Sequence, residues 1–201
     1  MNSYSISGNL QAIVWLFVKP RKLINTITSM SLTYGVIAFV VYLGLSELSW
    51  LLAWKAGDYQ SMNLLPRLLP IADVDYPLFM LIAGPLIKLF GIFVFIGVFR
   101  AISMTDDLDA QANRSLINLY LLAGSVFGLV ALLLETFLAS LEMSLVIQAI
   151  TSALYALVFV LTSIYLIVFV SRQINYSSRR AYYTVVPAMV ISWMLPGILF
   201  Q

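Results

Sequence analysis

The chain of 201 residues contains no cysteine and no histidine. The first absence removes disulfides, thiolate nucleophiles and thiolate metal sites; the second removes imidazole bases and imidazole ligands. Intramembrane proteases of the rhomboid and HExxH kinds both require His, so neither chemistry is open to it. The sequence also lacks a Gly-Lys-Ser/Thr phosphate loop, a GxGxxG turn and a carboxylate dyad on facing apolar segments. Charge is scarce as well: charged residues make up 10%, and 11 basic against 9 acidic side chains leave a net +2, too little to indicate a nucleic-acid partner. These absences predict a non-enzymatic protein with no cofactor and no metal.

The chain is instead rich in apolar residues, which form 62% of it and give a mean hydropathy of +0.97. That is the composition of a membrane protein. A transmembrane helix needs about 20 mainly apolar residues, since a rise of roughly 1.5 Å per residue must cross about 30 Å of hydrocarbon. Five stretches meet this: 31–54, 78–99, 116–138, 145–170 and 183–200. Their apolar character is continuous, not alternating, and backbone in lipid must satisfy its own amides, so they are read as helices and not barrel strands. The predicted fold is all-α, a polytopic transmembrane helical bundle of five spans forming one integral membrane domain over 1–201.

Cytoplasmic loops near spans are enriched in Lys and Arg. Lys19, Arg21, Lys22, Arg100, Arg114, Arg172, Arg179 and Arg180 fall on one side of the five-span arrangement, only Lys55 and Arg67 on the other, and Lys88 lies inside a span. Eight against two predicts a multi-pass protein of the cell membrane with a cytoplasmic N-terminus and an extracytoplasmic C-terminus. Residues 1–9 are polar without a basic start, so no cleaved signal is expected. Residues 10–23 are too short to span. They predict an interfacial helix with Trp15 at headgroup depth and Lys19, Arg21 and Lys22 facing anionic lipid, or else a partly buried N-terminal segment. The connection 55–77 carries Asp58, Asp73 and Asp75 and is interrupted by Pro66, Pro70 and Pro77, which excludes one long helix.

Ionisable groups inside a span are candidates for function. Lys88 lies near the middle of the second predicted span, just after Gly84-Pro85, where proline denies a hydrogen bond to the Leu81 carbonyl and predicts a kink. Counted along the helices, Lys88 lies about 15 Å and Glu47 about 10 Å below the outer ends of their spans, close enough for a lysine stem to bridge. This pair either marks a substrate or proton site or holds two helices in register. Glu135, three residues before the end of the third span, reads as an interfacial carboxylate or as a third member of that cluster. Asp106, Asp107 and Asp109 could ligate a hard cation, but Thr105 as an N-cap and acidic residues in a first helical turn explain them without one. Gly124 and Gly128 place two glycines on one face of the third span, for packing within the chain or between chains.

Three segments carry a family likeness: Leu16-Phe17-Val18-Lys19-Pro20-Arg21-Lys22-Leu23-Ile24 before the first span; the helix end and loop 95–116; and 154–181, with Tyr165-Leu166-Ile167, Arg172-Gln173 and Ser177-Ser178-Arg179-Arg180-Ala181. In these the chain resembles the Yip family of five-span membrane proteins, named for interaction with Ypt/Rab GTPases. It looks like a short prokaryotic-type member, having neither the long soluble N-terminal region nor the Asp-Leu-Tyr-Gly-Pro segment of the trafficking members. The resemblance implies a five-helix integral membrane fold, with no assigned activity, cofactor or site. The expected function is that of a membrane scaffold or partner-binding subunit, its partners the lipid bilayer and either a membrane protein or a second copy. The alternatives are a small transporter or channel centred on Lys88 and Glu47, and lipid handling by 10–23.

Overall fold

Pro20 sets the first feature of the architecture. A residue before proline is driven out of the helical region, and proline itself is suited to a first helical position. Lys19 has φ −138° and ψ 60°, and the helix α1, Ile6–Val18, ends there, with α2, Pro20–Thr26, starting at once. The single interfacial helix expected over 10–23 is thus two helices. A 3-10 turn, Ile27–Ser29, leads on to α3, Thr33–Ala56. The remaining helices are α4, Tyr76–Ser103; α5, Ala110–Ala139; α6, Leu145–Gln173; and α7, Ser178–Leu199. The computed structural model describes residues 6–56, 76–103, 109–139 and 145–199, among which there is no strand. Asp58, Asp73 and Asp75 of the 55–77 connection, and Thr105, Asp106 and Asp107, lie outside the described residues.

Four of the helices are long and apolar enough to cross a membrane: Thr33–Leu52, Leu81–Ser103, Ala110–Leu138 and Ala149–Gln173. The third begins earlier than the apolar run suggests. Asp109 accepts a hydrogen bond from the Gln111 amide at 3.2 Å, as an N-cap residue does, and a polar first turn with Arg114 precedes the lipid-compatible stretch. Between α6 and α7 the helix is interrupted at Asn175, whose φ of 57° is the left-handed conformation that asparagine tolerates better than most residues. Ser177 then accepts from the Arg180 amide at 3.2 Å and caps α7.

Two compact units divide the chain: Met1–Tyr42 with Thr105–Val185, and Leu43–Met104 with Val186–Gln201. In the first, α5 and α6 form the most extensive helix pair. Leu116, Leu119, Leu122, Ala123, Leu166, Phe169 and Val170 are fully or almost fully buried there. Ala12 and Leu16 of α1 and Leu23 and Ile24 of α2 are buried as well, while Arg21 and Lys22 are exposed, so the N-terminal helices have one covered and one open face. Phe17 stands edge-on to Phe127 with centroids 5.7 Å apart, and Phe127 contacts Tyr165 at the same separation. The second unit contains α4 and parts of α3 and α7.

Candidate functional site

The breaks between α1, α2 and α3 expose backbone groups that no helix can satisfy, because the last carbonyls and first amides of every helix lack internal partners. In the first unit, side chains of α5 and α6 supply those partners. The Tyr165 hydroxyl donates to the Leu16 carbonyl, Gln173 Nε2 to Ile24 O at 3.5 Å, and Gln111 Nε2 to Thr28 O at 3.1 Å. Asn118, in mid-helix and buried, bonds both ways: Nδ2 donates to Ser31 O at 3.0 Å, and Oδ1 accepts from the Gly35 amide at 2.7 Å. Gly35 is a place where a side chain has no room, since a Cβ would lie 2.6 Å from the Asn118 backbone oxygen. None of these roles was assigned by reading the sequence, although a lone asparagine within an apolar run was a visible signal.

The second unit holds the charged pair. Lys88 Nζ lies 2.9 Å from Glu47 Oε1 and also donates to the Ser46 hydroxyl, which in turn donates to Leu43 O at 3.0 Å. Counted from the ends of the two spans that the 57–75 connection joins, Glu47 lies five residues inside Leu52 and Lys88 seven inside Leu81. Those are depths of about 8 and 10 Å. A lone charge at such depth costs about 3 kcal/mol or more, and an adjacent opposite charge with a hydroxyl offsets much of it. Gly84 makes room for the arrangement: a Cβ there would lie 3.0 Å from Oε1 and 3.2 Å from Oε2 of Glu47. α4 continues as helix through Pro85.

The other candidates belong to the first unit. Glu135 accepts from the Tyr155 hydroxyl at 2.6 Å, and among the described residues it has no basic partner. At Gly124 a Cβ would reach Thr162 Cγ2 at an ordinary 3.9 Å, with no backbone closer than 4 Å among the described residues. Gly128 instead admits the Tyr42 ring, whose Cε2 would sit 2.9 Å from a Cβ there. Thr162 Oγ1 and Ser163 Oγ are buried without a hydrogen-bond partner among the described residues. Lys19, Arg21 and Lys22 are exposed, and the Lys22 ammonium lies 4.3 Å over the Trp15 ring. Arg180 lies over Tyr176 at 4.2 Å and Arg179 over Tyr183 at 5.9 Å. No cluster of three potential metal ligands occurs among the described residues.

No family model matches the chain, and neither a curated protein nor a solved structure does.

Proposed function

We propose that the chain is a five-span protein of the cell membrane, N-terminus cytoplasmic and C-terminus extracytoplasmic, acting as a non-enzymatic scaffold or partner-binding subunit of the Yip type. The observation that carries this reading is the uneven covering of its spans. In the most apolar stretch of α5, 61% of the residues are buried, against 22% in α4 and 11% in α3. A span so open offers most of its circumference to lipid or to another helix.

For the fifth span, α7 has 22 residues and so a length of about 33 Å, sufficient to cross. For the orientation, Gln111 at the start of α5 and Gln173 at the end of α6 both bond the segment Ile24 to Thr28. That gathers Arg21, Lys22, Arg114 and Arg172 at one end of the first unit, as inner-leaflet residues would be. Tags at either terminus, probed by protease protection, together with cross-linking in native membranes, test the reading. A protected C-terminal tag in inside-out vesicles and a stoichiometric adduct are expected; a C-terminal tag on the cytoplasmic side, or a strictly monomeric chain, would sink it.

A second reading is favoured by the incomplete enclosure of Lys88 and Glu47, whose side chains are 31% and 17% exposed. A polar centre within a span suits a small transporter or channel. Ion flux into proteoliposomes that collapses with the double variant Glu47→Leu/Lys88→Leu, in which neither charge is stranded, would support it, and equal flux in that variant would remove it.

A further inference from the structure

We infer that the face of α3 around Glu47, with Lys88 of α4 beside it, is a homotypic interface inside the membrane, covered by the same face of a second copy. The inference rests on the partner-binding reading above and names both the surface and its occupant. Three observations, all within the second unit, converge on it.

The ion pair is not enclosed. With 31% of one side chain and 17% of the other exposed, at a depth of about 8 to 10 Å, its open side meets hydrocarbon unless another protein covers it. Next, Glu47 is only half satisfied. Its Oε1 accepts from Lys88, while among the described residues no donor reaches Oε2. A carboxylate oxygen without a donor is costly in a medium that offers none, so a further donor at Oε2 is favoured, and a second copy can bring one. Lastly, Gly44 lies one turn from Glu47 on α3, and a Cβ there would meet nothing within 4 Å. Open space over a glycine lets a neighbouring helix approach to backbone distance.

Charge identifies the occupant. A partner carrying one sign of charge would satisfy one member of the pair and repel the other. A two-fold axis along the membrane normal keeps each residue at its depth and turns the patch through half a circle. A positive and a negative group side by side at matched depth are then their own complement, and the partner's Lys88 comes to Glu47 in both directions. Glu47 Oε2 gains its donor, and four charges alternate around the axis.

The absence of cysteine makes the test direct. Gly44→Cys and Leu48→Cys place a thiol on this face, whereas Leu133→Cys on α5 and Val160→Cys on α6 place one at exposed positions elsewhere. After oxidation in native membranes, the first two variants are expected to give a disulfide-linked species of twice the chain mass and the second two none. Adding Glu47→Lys should lower the cross-linked fraction of Gly44→Cys about tenfold, and the exchange Glu47→Lys with Lys88→Glu should restore it. Restoration also shows that the single variant was not merely misfolded. Equal cross-linking at all four positions, or no effect of Glu47→Lys, overturns the interface. An adduct of any other mass overturns the second copy as occupant and leaves the partner-binding reading standing. A chain that forms no adduct at any position and bleaches in single steps in membranes removes both.

Discussion

Asn118, Gln111, Gln173 and Tyr165 in the first unit direct their polar atoms at backbone groups left open by breaks in the chain, whereas Lys88, Glu47 and Ser46 in the second direct theirs largely at one another. The two arrangements are different in kind. A backbone carbonyl or amide cannot be mutated away, so the side chain that satisfies it is required by the fold. A side-chain pair can be replaced by two apolar residues of similar volume with little loss, because both demands vanish together. The first network is thus a condition of the architecture, and the second a device the architecture does not need.

That contrast can be broken. The largest effect is expected from Lys88→Leu alone, which strands the Glu47 carboxylate in the span and should cost about 3–5 kcal/mol in reversible unfolding from micelles. The double variant Glu47→Leu/Lys88→Leu should recover most of it. If the double variant remains as unstable as the single one, the pair is tied to further groups and the contrast fails. Asn118→Leu comes next, at about 2–3 kcal/mol by the same measurement, since it leaves Ser31 O and the Gly35 amide without partners. No second substitution should rescue it. Gln173→Leu sharpens the lower end: its 3.5 Å bond to Ile24 O is long and part-buried, and the loss should stay under about 1 kcal/mol.

Much of the span pattern was legible because hydropathy over about 20 residues is a local property. The Lys88 to Glu47 contact was legible for a related reason: two charges at similar depth in neighbouring spans have few places to go. What could not be read are the bonds that depend on which helix faces which. Asn118 meets Gly35 across 83 positions and Gln173 meets Ile24 across 149, and no window along the sequence connects them. Glu135 illustrates the same limit: its depth was readable, but its partner Tyr155 depends on the register of α5 against α6. The division of the N-terminal segment at Lys19 was within reach, since Lys19-Pro20 is a local steric signal that a single helix over 10–23 ignored.

The Tyr165 hydroxyl fastens the carbonyl of Leu16, a residue made 149 positions earlier. At about 5–20 residues per second, roughly 7 to 30 s of synthesis separate the two. Phe127, Gln111 and Asn118 of α5 can meet Phe17, Thr28 and Ser31 before then, so docking of the N-terminal helices begins on α5 and the Leu16 carbonyl is tied down only once α6 has been made. A ribosome stalled before residue 165 would leave that one carbonyl, at the Lys19-Pro20 break, without its donor while α5 already holds its neighbours.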